Sequence, residues 1–276
     1  MMCGLKKHSS IHGIFEQRYY SNGELAPSWG IQIDETASIL IGVHENGKWR
    51  KHEDLIYKAT VALLNFLTEE HISKNCFDLW EERKGMHLYS TASIYDGLKV
   101  ANEMLMSINP LKYKKLSPII ELETRNIKKA IKEKFVKENK FIRSLDNEQA
   151  DISLLSVVVP FDIIDIKDEC VKNTVEQIEN KLRLENGGYM RYEGDNYIGG
   201  NAWIISSLWL ALYYIKVGNI ERAHELFNWV TEHADNLNFL PEQINRNGHN
   251  SVWVMQLSWS HAMYVIVKNE LLGKNK

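Results

Sequence analysis

Apolar residues recur at spacings of three and four in segment after segment of this chain, which commits it to helices that pack by one face. In residues 55–67 the stripe runs through Leu55, Ala59, Ala62, Leu63, Phe66 and Leu67. Residues 91–108 repeat it through Ile94, Leu98, Ala101, Met104 and Leu105. Residues 116–135 carry Ile120, Ile127, Ala130, Ile131 and Phe135, with Lys, Arg and Glu on the other face. They open on Ser117-Pro118, which reads as an N-cap followed by proline at the first helical position. Residues 167–182 are amphipathic through Cys170, Val175, Ile178 and Leu182. Residues 201–217 are apolar on all sides, which predicts a buried helix stopped by Gly218. Further helices are expected over 220–234 and 258–272, and shorter ones over 34–43 and 151–158. No stretch sustains the alternation of a strand. The reading is an all-α chain, a single domain over residues 1–276.

Composition narrows the function. With 33 Lys and Arg against 36 Asp and Glu, the formal charge of −3 gives no basic footprint for nucleic acid. No apolar run approaches the roughly 18 residues of a membrane span. The opening MMCGLKKHSSIHG lacks the apolar core of a secretory signal, so a cytoplasmic location is expected. Cys3, Cys76 and Cys170 are odd in number and far apart, which suits neither a disulfide framework nor a zinc site. The histidines show no HExxH or other ligand spacing, and neither GxxxxGK[ST] nor GxGxxG is present. No metal and no cofactor is expected.

The connections between helices carry the chemistry. Four are rich in Trp, acids, Arg and Gly: SWGIQIDE at 28–35, FDLWEERKG at 77–85, GGYMRYEGDNYIGGNAW at 187–203, and LPEQI at 240–244 with WVMQLSWSH at 253–261. Two adjacent carboxylates beside an indole, Trp80-Glu81-Glu82, suit sugar chemistry. A Trp face stacks on a sugar face, and a carboxyl against apolar surface is held neutral, able to protonate a leaving oxygen. The same residues also read as a helix start with Asp78 as cap and Glu81 three positions on. Glu242 reads either as a carboxylate that activates water across a cleft or as a solvated loop residue. Arg191 and Asp195 read either as a bracket for sugar hydroxyls or as a surface ion pair in a glycine-rich turn. Trp29 stands ahead of a helix start for which Asp34 is the candidate cap. His261 reads as a packed or hydrogen-bonded helix residue rather than a base.

Taken together, the order and wording of these segments resemble glycoside hydrolase family 15, which includes glucoamylases, glucodextranases and some trehalases. The resemblance runs from about Gly13 to Leu272. DLWEER at 78–83 is similar to the family's general-acid segment, which implies that Glu81 is the acid. LPEQ at 240–243 is similar to its general-base segment, which implies that Glu242 is the base. RYEGDNYIGGNAW resembles its sugar-binding loop, led by Arg191. Trp29, Leu79, Trp80, Glu82 and Trp259 match further positions that line the sugar. The resemblance implies an (α/α)6 barrel and release of terminal glucose from α-glucans or maltooligosaccharides with inversion.

One segment of the family pattern is not found. The aromatic–Trp–Arg–Asp run that opens the barrel and clamps the same sugar is absent, and the helices counted fall about three short of twelve. The resemblance thus implies the C-terminal two-thirds of a catalytic domain. It leaves open an α-glucan-binding fragment, impaired until an N-terminal partner chain completes the barrel, and an α,α-trehalose hydrolase.

Overall fold

The computed structural model describes residues 13–273. Cys3 and the opening dozen residues lie outside them. Two compact units emerge: residues 13–136 with 143–147, and residues 137–142 with 148–273. No helix among the described residues is long and apolar enough to cross a membrane.

The first unit is built on α1 (Ile33–Glu45), α2 (Glu53–Asn65), α3 (Leu88–Ile108), the single-turn α4 (Pro110–Tyr113) and α5 (Ser117–Lys134). The stripes read from sequence are the buried faces. Ile33, Ala37 and Leu40 of α1, Ile56 and Leu63 of α2, Ile94, Leu98 and Leu105 of α3, and Ile127 and Ile131 of α5 are all sealed. Gly97 lets α3 approach its neighbours, since a Cβ there would meet Ala37 Cβ and Leu63 Cδ1 at 3.0 Å. Ser117 does not cap α5: Leu116 occupies that position, and the Ser117 hydroxyl instead donates to Glu121. The turn after α4 already runs helically into Leu116, so no extended residue is left there to act as a cap. Asp34 does not cap α1 either. Gln32 precedes the helix, and Asp34 is buried within its first turn.

The second unit holds α6 (Glu169–Leu182), α7 (Ile204–Val217), α8 (Ile220–Glu232) and α9 (Ser258–Leu271). The α7 helix is the buried one that its apolar circumference predicts: Ile204 to Ala211 are all enclosed. Gly218 ends it in the left-handed region at φ 83°. Residues 151–158 form a 3₁₀ helix over Ile152–Val157, with Asp151 accepting from the Ser153 amide. Glu179 of α6, Tyr189, Tyr214 of α7 and Arg222 of α8 form one hydrogen-bonded cluster.

Short strands are present where the sequence shows no alternation. The pairs are β1 (Cys76–Phe77) with β2 (Lys84–Gly85), and β3 (Val136–Lys137) with β4 (Lys140–Phe141). A three-stranded antiparallel sheet joins β5 (Ala202–Trp203), β6 (Pro241–Ile244) and β7 (Ser251–Met255). Strands of two to five residues are too short for a period of two to emerge. The expected helix over 201–217 begins three residues late because Ala202 and Trp203 pair with β6.

Candidate active site

In the first unit, Glu81 sits in the loop of the β1–β2 hairpin, not at a helix start. Asp78 is the anchor of that loop rather than a helix cap. Its amide donates to the Arg83 carbonyl at 2.9 Å, closing the hairpin. Its Oδ1 accepts from the Glu82 and Arg83 amides, and its Oδ2 accepts from Arg143 Nη2 at 2.7 Å. Both members of the Asp78–Arg143 pair are 4% exposed. A buried acid that meets a guanidinium and two amides fixes the loop's geometry. Glu81 adopts φ 61°, a left-handed conformation that costs a non-glycine residue about 1–3 kcal/mol. Trp80 is buried, Leu79 half-buried and Glu82 exposed. The Glu81 carboxylate accepts from Arg18 Nη2 at 2.9 Å, and the Arg18 guanidinium lies 3.7 Å from the centroid of the exposed Trp29 ring. Arg18 is a neighbour that the sequence motifs do not signal.

Behind these residues lie two further carboxyls. Asp34 accepts from Gln32 Nε2 and Ser90 Oγ, and burial pushes its pKa to about 7. Glu35 is likewise pushed to about 7, first by burial and then by the charges of Asp34 and Glu81. His87 is shifted down by burial. Neither acid stood out in the sequence beyond Asp34's candidacy as a cap.

In the second unit, Glu242 lies on strand β6, not in a loop. It is half-buried, and a bulge is set against it. Pro241 pairs with Met255 and Gln243 with Val252, so Trp253 and Val254 face the single residue Glu242. Trp253 takes φ 67° at that bulge. Bulges re-aim side chains and recur beside active sites. A chain of amides holds the carboxylate. Asn201 Nδ2 donates to Gln243 Oε1 at 3.0 Å, and Gln243 Nε2 donates to Glu242 Oε2 at 2.7 Å. Burial raises the Glu242 pKa, while the Gln243 amide and the Arg191 charge oppose the rise.

Arg191 and Asp195 are not a surface pair. Both are buried, and the guanidinium binds the carboxylate in a fork, Nε to Oδ2 and Nη2 to Oδ1, each at 2.9 Å. Asp195 also accepts from the Tyr197 amide. The Trp203 ring lies 4.4 Å from the Arg191 guanidinium carbon, with Tyr192 and Tyr197 at 5.1 Å. Gly200 lets the loop close on itself at φ 69°, where a Cβ would stand 2.3 Å from the Asp195 carbonyl oxygen. Trp259 is exposed in the first turn of α9. That turn is tied to β6: Ser260 Oγ donates to the Pro241 carbonyl at 2.9 Å, and His261 Nε2 accepts from the Leu240 amide at 3.1 Å. His261 is therefore a hydrogen-bonded helix residue, as its setting in the sequence suggests. Among the described residues, no cluster of three His, Cys, Asp or Glu side chains could hold a metal ion.

Each unit thus presents an accessible carboxylate near aromatic and guanidinium groups, the chemistry of sugar recognition. Comparison with known proteins agrees. An uncharacterized glycosyl hydrolase of Methanocaldococcus jannaschii is 32% identical over 285 residues, covering 95% of this chain and 45% of its own length. The chain therefore spans less than half of that relative. An isomaltose glucohydrolase of Kribbella flavida is 27% identical, covering 95% of this chain and 70% of its own. A bacterial glucoamylase complexed with acarbose shares the fold with a TM-score of 0.81 at 20% identity, over 98% of this chain and 45% of that one. The helical architecture is accordingly the all-α fold found in glucoamylases. The sequence profile of Glycosyl hydrolases family 15 matches residues 6–269, nearly the whole chain, and the chain belongs to that family.

Proposed function

We propose that this chain releases terminal α-linked glucose from the non-reducing ends of glucans or oligosaccharides with inversion. Glu81 protonates the bridging oxygen. Glu242 takes a proton from the water that attacks the anomeric carbon from the opposite face. Arg191, Trp29, Leu79, Trp80, Glu82 and Trp259 hold the glucosyl unit. The reading places the chain in an (α/α)6 barrel as one domain over residues 1–276. It requires the two carboxyls to stand about 6.5–9.5 Å apart, with room for one water.

The observation that carries this reading is the setting of Glu242. A base has to be ionised, aimed and partly shielded from solvent. The Asn201–Gln243 relay aims Glu242 and supports its charge, and β6 half-buries it. Proton NMR of an early maltooligosaccharide digest should show β-glucose first; initial α-glucose would overturn the mechanism. Hydrolysis of maltose, isomaltose, α,α-trehalose and starch by wild type and Glu81→Gln then assigns linkage. The Kribbella relative makes the α-1,6 bond of isomaltose one to test first.

A second reading is favoured by the apolar residues that two elements of the second unit leave exposed. The α9 helix buries only Ser260 and Val267 and exposes Val265 and Ile266, and β7 exposes Trp253, Val254 and Met255. Large apolar side chains clustered at a surface are normally covered. In this reading the chain binds α-glucan but turns it over only when an N-terminal polypeptide supplies the remaining helices of the barrel. Full turnover by the purified chain alone eliminates it.

A further inference from the structure

Arg18 lies in a turn that the sugar chemistry does not call upon. Ala26 N donates to the Arg18 carbonyl at 3.1 Å, and Tyr20 N to Glu24 O at 2.8 Å, which folds residues 18–26 back on themselves. Gln17 fixes this turn to the next loop: its Oε1 accepts from the Trp29 amide at 3.3 Å, and its Nε2 donates to Gln32 at 2.9 Å. The Arg18 guanidinium is thereby delivered to two places at once. It lies over the Trp29 ring, 3.7 Å from its centroid, and donates to Glu81 Oε2 at 2.9 Å.

These two places matter if Glu81 and Trp29 act as proposed above, and the inference rests on that reading. A guanidinium plane and a pyranose ring compete for the same indole face. An ion pair with arginine engages a carboxylate, whereas protonating a glycosidic oxygen requires the carboxylic acid. Arg18 as placed therefore satisfies neither need of the reaction. We propose that Arg18 is a displaceable gate on the acid half of the site, covering Trp29 and engaging Glu81 until an incoming glucosyl unit turns it outward. Displacement is feasible. The Arg18 and Glu81 side chains are 45% and 32% exposed, so both contacts belong to the weak, solvent-screened class. A swung-out guanidinium remains fully hydrated. The gate favours ligands that bring enough surface to displace it, such as a glucosyl chain end, over water or small solutes.

The test compares wild type with Arg18→Met, which keeps the stem and removes the charge, and with Arg18→Lys, which keeps a charge but loses the flat stacking plane. Titration calorimetry with acarbose reads binding without requiring turnover. Arg18→Met should bind roughly tenfold more tightly, the scale on which one weak contact pair shifts an equilibrium, and Arg18→Lys should fall between. Where the chain turns over maltose or isomaltose, KM should fall by a similar factor with kcat within about twofold. Equal acarbose affinity in all three proteins, or weaker binding by Arg18→Met, overturns the gate; the second result would make Arg18 a substrate-holding residue. Acarbose bound by none of them overturns the glucosidase reading itself, and the gate with it. Circular dichroism establishes that each variant is folded, and Arg18→Gln replaces any that is not.

Discussion

In the proposed mechanism Glu242 and Glu81 meet opposite demands, one as base and the other as acid. Burial lifts the Glu242 pKa above the ordinary carboxylate range, while the Gln243 amide and the Arg191 charge pull it back. A base works ionised, so the acid limb of the rate profile should follow this group. Replacing Gln243 by Met deletes a stabiliser of the charged form and leaves the burial in place. The acid limb should then move to higher pH, with the rate plateau above it little changed. A limb that stays in place or moves down means that Glu242 is not the titrating base. At Glu81, general acid catalysis contributes about 10²- to 10⁴-fold. Glu81→Gln should lose a factor in that range on maltose, and it should lose less on a glucosyl fluoride, whose leaving group needs no proton. Equal losses on both substrates would remove Glu81 from the acid role.

The hairpin and the bulged sheet fix the backbone around these residues. Asp78 satisfies two loop amides and a buried guanidinium, so the β1–β2 turn is held from within. Asp78→Ala removes the buried carboxylate that pairs with the Arg143 guanidinium, which costs about 3–5 kcal/mol. Urea denaturation followed by tryptophan fluorescence should show that loss. Asp78→Ala combined with Arg143→Met should recover part of it, since the buried charge is then gone. A double variant as unstable as Asp78→Ala would show that the loop amides, not the ion pair, carry the stability. The helices around these elements are legible in the sequence because their stripes report burial directly. The strands are not, since two residues of β1 or β5 hold no period. Asp78 followed by Glu81 matches a capping pattern equally well, because a hairpin loop and a helix start make the same use of an acid that accepts from backbone amides.

Across the folded chain, buried acids couple stability to pH. Asp34 rises from 3.8 to about 7, chiefly through burial. Between those values the native chain keeps a proton that the unfolded chain releases. This group's contribution is therefore most favourable below about pH 4 and is lost as pH rises to about 7. Asp34→Asn removes that dependence. The melting temperature of the variant relative to wild type should climb between pH 5 and pH 8, by the equivalent of about 3 kcal/mol. A difference that is flat, or that falls with pH, would mean Asp34 is ionised in the native state. Glu35, also near 7, adds to the same trend in wild type.

The spacing of apolar side chains was enough to set the helices, and the wording of four connections singles out Glu81, Glu242, Arg191 and the tryptophans as candidates, because period and motif are properties of neighbours along the chain. What surrounds those residues came from pairings that adjacency does not encode. Asp78 finds Arg143, Asn201 finds Gln243, and Arg18 finds both Trp29 and Glu81. Burial turned Arg191–Asp195 from an apparent surface pair into an enclosed fork, and it turned Asp34 from an apparent cap into a buried acid whose pKa is pushed to about 7. Charge and orientation in a site depend on which groups folding brings within a few ångströms and on how much water it removes, and neither quantity exists until the chain has packed.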